Sequence, residues 1–159
     1  MQVGQREKLL PLVIDTANKY QIDPKMLDAI IAKESTYDPY AIQYEPKYKW
    51  LTDPAKYAAM NKTSVEFEIE LQKTSLGLAQ IMGGTIRWLG HKKQLVRLFD
   101  PKENITFACL YIKTLQKRYS RPTDIISAYN AGTVVIEESR DYSNQSYVDS
   151  VLDWMKKLN

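Results

Sequence analysis

The sequence predicts a mainly α fold, with one domain over residues 1–159 and an irregular loop lobe at residues 37–56. Apolar residues recur at spacings of three and four in several segments, which is typical of amphipathic helices. Asp-Pro pairs at residues 23–24 and 100–101 combine an N-cap residue with proline at the first helical position. No repeat or linker divides the 159 residues, and this length suits a single hydrophobic core.

Two amphipathic helices are predicted near the N-terminus, over residues 6–20 and 24–35. The apolar face of the first consists of Leu9, Leu10, Val13, Ile14 and Ala17. The second begins after Asp23 and carries Leu27, Ile30 and Ile31 on one face. Residues 37–56, the loop lobe, are rich in Pro, Tyr and Lys and lack a clear period. Such loops often carry binding residues.

Residues 64–72 fit two kinds of secondary structure. Apolar residues and glutamates alternate strictly here, as in a half-buried strand: Val65, Glu66, Phe67, Glu68, Ile69, Glu70 and Leu71. Thr63 and Glu66, however, have the spacing of a helical capping box. We predict a helix, because the neighbouring segments are helical, with a strand as the alternative.

Five further helices are predicted in the second half of the chain. A short one passes through Ile86 and Leu89 and ends at Gly90, and another lies near residues 92–98. The clearest begins at Asp100, with Ile105, Ala108, Ile112, Leu115 and Tyr119 on one face. A buried helix over residues 122–129 ends at residues 130–132, and a last one starts near Asn144.

The reactive side chains exclude most catalytic chemistries. The chain has one histidine, one cysteine and 19 carboxylates, so it cannot build a zinc site of Cys and His or an internal disulfide. A nucleophilic triad would need His91, which lies in a basic, surface-like stretch. No glycine-rich phosphate loop is present either. We therefore expect no metal and no cofactor, and an Asp or Glu as the acid or base of any enzyme.

The charge pattern argues against two classes of partner. The net charge of +3 is spread along the chain, and its densest basic cluster fits a solvated helix face better than a nucleic-acid site: Lys113, Lys117, Arg118 and Arg121. The longest apolar run, residues 9–14, is interrupted by Pro11. We therefore predict no nucleic-acid binding, no membrane insertion and no targeting segment.

One carboxylate stands on a helix face that should be buried. Glu34 follows Leu27, Ile30 and Ile31 by seven, four and three residues. It also falls in the last helical turn, where the negative end of the helix dipole disfavours an anion. Desolvation and dipole both raise its pKa, as a general acid requires. The alternative is that the helix frays at Lys33 and that Glu34 points to water.

Three polar residues inside apolar segments are candidate sugar ligands. The amides of Gln80 and Asn130 can bind hydroxyl or acetamido groups, and Tyr129 can stack and donate a hydrogen bond. The alternatives are that Gln80 binds loop backbone and that Asn130 is a helix C-cap. The 11 tyrosines also fit a carbohydrate groove, although most can be ordinary half-buried residues.

Three ordered segments resemble the SLT-type lytic transglycosylases, the soluble lytic transglycosylase family related to goose-type lysozymes. Residues 30–41 resemble the Glu-Ser motif with its trailing Pro-x-Ala, residues 77–85 resemble Gly-Leu-Met-Gln-Ile-Met-Pro-x-Thr, and residues 128–132 match Ala-Tyr-Asn-Ala-Gly. The segment at residues 100–105 and the pair Tyr147-Val148 fall in family order. Ala79, Gly83 and Gly84 depart from the motifs.

The resemblance implies a lysozyme-like helical domain that cleaves the β-1,4 bond between N-acetylmuramic acid and N-acetylglucosamine in peptidoglycan. Glu34 matches the catalytic acid, which then acts as base while the muramoyl C6 hydroxyl closes a 1,6-anhydro ring. One carboxyl group serves both steps, unlike the pair in most glycosidases. Tyr129 would lie beside Glu34, with Gln80, Asn130 and Tyr147 at the sugar sites. Ser35 would bind substrate or, more simply, support Glu34.

Two alternatives to this activity remain from the sequence. The region between Ala41 and Gly77 is long and contains Asp53, Glu66, Glu68 and Glu70. Goose-type lysozymes position water with carboxylates from this region, so a hydrolase is one alternative. The altered Ala79 and Gly83 suggest a non-catalytic wall-binding virion module as another. The insert resembles phage or prophage members, so we expect a monomer that acts at the bacterial wall, carried by a virion or within a larger protein.

Overall fold

The computed structural model describes residues 4–158 and is mainly helical, as predicted. It contains eight α-helices, namely α1 (Gln5–Lys19), α2 (Pro24–Ser35), α3 (Pro54–Asn61), α4 (Val65–Gln72), α5 (Gly83–Trp88), α6 (Pro101–Gln116), α7 (Pro122–Ala131) and α8 (Gln145–Lys157). A 3-10 helix spans Leu95–Phe99. The three short strands are β1 (Ile42–Tyr44), β2 (Thr74–Leu76) and β3 (Ile81–Met82).

Helix α2 lies at the centre of the core. It contacts α8 on one side and α1 on another, while α6 packs against α1 and α7. The predicted stripe of Leu27, Ile30 and Ile31 is completely buried. Because this packing extends to the last turn of α2, the end of the helix is held in place rather than frayed.

The predicted helix starts are confirmed by their caps. Asp23 Oδ1 accepts a 2.9 Å hydrogen bond from the backbone N–H of Lys25, and Asp100 Oδ1 accepts one from Glu103. Proline follows each cap, where a missing N–H costs nothing. Helix α7 ends at Gly132, whose φ of 77° is readily adopted only by residues without a side chain.

Residues 65–72 form helix α4, which confirms the predicted helix but corrects its cap. Ser64, not Thr63, accepts the hydrogen bond from Phe67 N–H, at 3.1 Å. The buried residues of α4 are polar, Glu68 and Gln72, whereas Phe67 is half exposed. A helix that buries polar groups four residues apart has no apolar period, which explains the ambiguous pattern.

The loop lobe is more regular than predicted. Strand β1 and the start of α3 lie within residues 37–56, and β1 begins an antiparallel sheet in the order β1-β2-β3. Ile42 pairs with Leu76, and Ser75 pairs with Met82. Strands of two or three residues are too short to show a period, so the sequence pattern missed them. Similarly, the helix expected near residues 92–98 is the 3-10 helix.

His91 is buried, and its predicted surface position is wrong. It is 3% exposed, its ring lies 5.0 Å from that of Phe107, and its Nε2 is 2.7 Å from Glu103 Oε1. The exposed Lys92 and Lys93 made the stretch look like surface, while the imidazole turns inward. Burial lowers the pKa of His91, and the hydrogen bond and charge of Glu103 partly oppose this effect.

Candidate active site

A groove of about 680 Å³ opens where the end of α2, the sheet, α5, α6 and the end of α7 meet. Its lining residues are Glu34, Gln43, Glu45, Lys47, Tyr48, Trp50, Ser75, Gln80, Ile81, Met82, Thr85, Tyr111, Tyr129, Asn130, Ala131, Gly132 and Thr133. Aromatic rings, amides and a few charges therefore share one open cleft, which suits a polar ligand with apolar faces.

Glu34 lies in the last turn of α2 and lines the groove. The helix continues to Ser35 and ends at Thr36, which adopts a left-handed conformation with φ of 50°. The carboxyl group is thus carried by an intact helix rather than a frayed end. Burial raises the pKa of Glu34, while the hydrogen bond from Tyr147 and the charge of Lys33 lower it to a smaller extent.

Tyr147 lies directly against Glu34. Its hydroxyl donates a 2.5 Å hydrogen bond to Glu34 Oε1, because α8 packs across α2. The side chain is 8% exposed, and burial raises its pKa well above the ordinary value, so it stays a donor. The groove lining just described does not include Tyr147. Its contact is therefore with the carboxyl group, not with the space in front of it.

Tyr129 and Asn130 lie next to each other at the end of α7 and both line the groove. The Tyr129 hydroxyl donates to the Ala79 carbonyl at 2.8 Å, and its ring lies 5.3 Å from that of Tyr111. Asn130 is exposed, and its Oδ1 accepts a 3.0 Å hydrogen bond from Asn144. Asn130 is not the helix cap, since Gly132 occupies that position.

Gln80 reaches the groove and also binds loop backbone. Its Nε2 donates to the carbonyls of Gly77 and Ala41, at 2.8 and 3.0 Å, and its Oε1 accepts from Ser75 Oγ at 2.9 Å. The amide nitrogen thus connects the residue before β1 with the residue after β2, and the amide oxygen binds β2 itself. The structure therefore shows the binding of loop backbone that was one of the two possibilities, and it also places Gln80 in the groove lining.

Ser35 lies next to Glu34 but not in the groove. Its hydroxyl donates to the carbonyl of Ile31 at 3.3 Å, and the residue is buried in the final turn of α2. Ser35 is not one of the described residues that line the groove. This position fits support of the helix end that carries Glu34.

Sequence reasoning missed the contribution of residues 43–50, which bring Gln43, Glu45, Lys47, Tyr48 and Trp50 to the groove. Gln43 Nε2 donates to Glu45 Oε1 at 2.6 Å, so these two side chains lie on the same side of the chain at the end of β1. Ile42 and Tyr44 alternate with Gln43 and Glu45, which is the pattern of a strand with one polar face. This pattern covers only four residues, so it was too short to predict the strand.

The four acids considered from the sequence lie elsewhere. Glu68 is buried in an ion pair with Arg87, at 2.7 Å, and also accepts from Gln72. Glu66 and Glu70 are exposed on α4, and Asp53 precedes α3. Within residues 4–158, the carboxylates that line the groove are Glu34 and Glu45.

The arrangement favours proton transfer by a single carboxyl group. Glu34 combines a raised pKa, a fixed oxygen and access to the groove, which together suit a general acid. In the part of the chain that the structure describes, no three His, Cys, Asp or Glu residues converge to hold a metal ion. The helices of that same part include none long and apolar enough to cross a membrane.

Comparison with known proteins places these features in a family context. Residues 11–149 match the family profile described as Transglycosylase SLT domain. The chain is 26% identical over 160 residues to membrane-bound lytic murein transglycosylase E of Buchnera aphidicola, covering 92% of this chain and 60% of the relative. It is 24% identical to membrane-bound lytic murein transglycosylase C of Actinobacillus pleuropneumoniae, covering 89% and 35%.

A Haemophilus influenzae protein, also called membrane-bound lytic murein transglycosylase C, is 26% identical over 167 residues, covering 91% of this chain and 39% of the relative. The chain therefore spans between about a third and three fifths of the length of these curated relatives. The matched residues 11–149 include Glu34, Gln80, Tyr129, Asn130 and Tyr147.

Proposed function

The chain belongs to the Transglycosylase SLT domain family, and on this premise we propose that it is a peptidoglycan lytic transglycosylase. It cleaves the β-1,4 bond between N-acetylmuramic acid and N-acetylglucosamine and leaves a 1,6-anhydro ring. The observation that carries the proposal is Glu34, a carboxyl group with a raised pKa at the wall of an open groove of about 680 Å³.

Glu34 performs both half-reactions. In its protonated form it donates a proton to the glycosidic oxygen as the bond to C1 breaks, and the N-acetylglucosamine side leaves as an alcohol. The carboxylate then takes the proton of the C6 hydroxyl while that oxygen attacks C1, which returns Glu34 to its protonated state. Tyr147 holds Oε1, so Oε2 is the oxygen that exchanges the proton with the sugar.

The other predicted site residues have two kinds of role in this proposal. Tyr129 and Asn130 contact the sugars directly, because both line the groove. Gln80 offers its Oε1 as acceptor and keeps the sheet edge in place through Nε2. Tyr147 and Ser35 act on Glu34 and its helix, the first through its hydroxyl and the second through the Ile31 carbonyl.

The place of action follows from the substrate. Peptidoglycan strands are the partner, so the protein works at the bacterial cell wall, brought there in a phage virion or as part of a larger protein. A monomer suffices, since all the residues that line the groove come from one chain. The reaction uses neither metal nor cofactor.

Hydrolysis is the second candidate, and Glu45 is the observation that favours it. This carboxylate lines the same groove as Glu34 and directly follows β1, within the long insert. A carboxylate facing a reacting sugar can hold a water molecule for attack on C1, which would yield a reducing end. Replacement of Glu45 by Gln would then lower the share of reducing-end products.

Mass spectrometry of digested sacculi tests the proposal. We expect 1,6-anhydromuropeptides from the wild-type protein, and reducing-end products alone would favour the hydrolase. Glu34→Gln should abolish release while the circular dichroism spectrum is unchanged. Glu66→Gln, an exposed acid on α4, is the matched control and should keep full activity. Sacculus binding without any release by the wild-type protein would instead indicate the non-catalytic wall-binding module.

A further inference from the structure

Four aromatic rings, those of Trp50, Tyr48, Tyr111 and Tyr129, line the same groove as Glu34. The rings of Trp50 and Tyr48 lie 5.5 Å apart, edge to face, and those of Tyr111 and Tyr129 lie 5.3 Å apart. The four residues therefore form two ring pairs in the groove that also holds the carboxyl group.

The exposure of these residues falls from Trp50 to Tyr129. Trp50 is 69% exposed, Tyr48 and Tyr111 are partly buried, and Tyr129 is 6% exposed. The proposed mechanism uses only the inner end, around Tyr129. The exposed end, formed by the Trp50 indole and the ring of Tyr48, has no role in it; Lys49 Nζ lies 5.9 Å from the centroid of the Trp50 ring.

The segment that carries Trp50 is held firmly against the helices behind it. Gln72 exchanges two hydrogen bonds with the backbone of Thr52, at 2.7 and 2.9 Å, and Thr52 Oγ1 donates to the Gly84 carbonyl at 3.0 Å. The Tyr48 hydroxyl lies 3.2 Å from Thr85 Oγ1. Trp50 is therefore an exposed ring on a fixed backbone, which lowers the entropy cost of binding a ligand.

Gly84 makes this close approach possible. A Cβ at that position would lie 2.5 Å from the Trp50 carbonyl oxygen and 2.8 Å from Cε1 of Tyr48. Gly84 is one of the residues at which the sequence departs from the family motif. The departure and the long insert thus belong together, since the glycine provides the space in which the insert rests.

The chemistry around Trp50 suits a sugar ring. A pyranose has apolar C–H faces, which pack on an aromatic face, and polar groups around its edge. Glu45 and Lys47 line the groove beside Tyr48 and can bind hydroxyl or acetamido groups. A purely apolar partner would leave these charges unpaired, and the groove is continuous with Glu34, so a glycan strand is the ligand that fits.

We propose that Trp50 and Tyr48 form an additional saccharide-binding subsite, at which a pyranose ring of the glycan strand stacks on Trp50. The inference rests on the proposed function, since it takes the strand cleaved at Glu34 as the ligand. Contacts at this subsite are the same before and during the reaction. They therefore lower KM for long strands and leave kcat unchanged.

Calorimetric titration with a peptide-free hexamer of β-1,4-linked N-acetylglucosamine tests the subsite in the inactive Glu34→Gln background. Trp50→Ala should weaken hexamer affinity by about tenfold, and Trp50→Phe should weaken it less because a ring remains. Trp88→Ala is the matched control, since Trp88 is 62% exposed on α5 and outside the groove lining. It should bind like the parent protein.

In the active protein, Trp50→Ala should raise KM for long glycan strands with kcat unchanged. Hexamer affinities of the Trp50→Ala and Trp88→Ala proteins within twofold of each other would overturn the subsite, as would an absence of hexamer binding by the parent. If Trp50→Ala raised KM only for strands that carry stem peptides, this result would also overturn the subsite, in favour of peptide recognition. Release of anhydromuropeptides by the wild-type protein reports on the proposed function separately.

Discussion

The hydroxyl of Tyr147 donates a 2.5 Å hydrogen bond to Oε1 of Glu34, across 113 positions of the chain. This bond connects the last helix with the end of the central one. It opposes the effect of burial, because donation to a carboxylate stabilises the ionised form and lowers the pKa of Glu34. The protonation state of Glu34 therefore depends on α8, although its position on α2 is set locally.

Tyr147→Phe should shift the pH profile of cleavage to higher pH. Without the donated hydrogen bond the pKa of Glu34 rises further, so the acid stays protonated to a higher pH. In a plot of kcat/KM against pH, the alkaline limb therefore moves to higher pH. We also expect kcat to fall by about tenfold or more, because the carboxyl group loses its fixed orientation. Initial rates on soluble glycan strands across pH 4 to 9 measure both effects.

Tyr142→Phe is the control for this experiment. Tyr142 also donates to a carboxylate, Asp124, at 2.6 Å, but it lies outside the groove lining. Its loss should leave the pH profile unchanged. An unmoved alkaline limb in Tyr147→Phe, with the overall rate reduced, would mean that the tyrosine acts only through packing.

Glu34→Gln should stabilise the fold at neutral pH. The folded-state pKa of Glu34 is raised above that of an unfolded glutamate, about 4.3. Between that value and the raised pKa the unfolded chain has given up its proton and the folded chain has not, so stability is lost as the pH rises through this window. Glutamine does not titrate, so the variant should be more stable than the wild type at pH 7, as measured by urea denaturation.

The gain should shrink towards pH 4, where both states of the wild-type protein hold the proton. Glu66→Gln is the comparison, because Glu66 is exposed on α4 and lies outside the groove lining. A Glu34→Gln protein that is equally stabilised at pH 4 and pH 7 would indicate a packing effect instead of a titration effect.

Loss of Arg87 should destabilise the protein strongly. Its guanidinium is fully buried and donates to both oxygens of Glu68, at 2.7 and 2.8 Å, and to the carbonyls of His91 and Lys93. Arg87→Met would leave the Glu68 carboxylate buried without its partner. Such changes cost about 3–5 kcal/mol. Urea denaturation should show this loss in the free energy of unfolding.

Two comparisons separate the ion pair from simple packing. Adding Glu68→Leu to Arg87→Met removes the unpaired charge and should recover part of the loss. Arg121→Ala breaks an exposed pair with Asp124 and should move the denaturation midpoint far less. Equal losses in the single and the double variant would show that volume, not charge, sets the cost.

The parts predicted from the sequence are those determined locally. Helical phase and the cap at Asp23 depend on residues within a few positions, and they were enough to place Glu34 on the inner face of α2. Glu45 was missed because it reaches the groove only through the pairing of β1 with β2, which lies 30 residues further along the chain. The sequence pattern does not report such distant contacts.

Buried charges were the second source of error. Glu68 pairs with Arg87 inside the fold, and His91 pairs with Glu103. In each pair, the polar groups of one residue bind those of the other. A pattern that assigns charged residues to the surface therefore gives the wrong side for them. The contact between Tyr147 and Glu34 is also outside the reach of the sequence pattern, since only the packing of α8 on α2 brings it about.

Gly84→Ala should disturb the aromatic wall of the groove more than Gly83→Ala does. The new methyl group at residue 84 would meet the Trp50 carbonyl and the Tyr48 ring, so the segment that carries them must move outward. At residue 83 it would overlap the Leu71 carbonyl, in α4. Both variants should lose about 1–3 kcal/mol of stability through overpacking, measured by thermal denaturation.

Binding of the N-acetylglucosamine hexamer then separates the two glycine variants. Gly84→Ala should weaken hexamer affinity about as much as Trp50→Ala, because displacement of the backbone removes the same ring from the groove. Gly83→Ala should keep most of the hexamer affinity, although it loses a similar amount of stability. If the two glycine variants bind the hexamer equally well, the position of Trp50 does not depend on Gly84. The close approach of the insert to α5 would then contribute to stability alone.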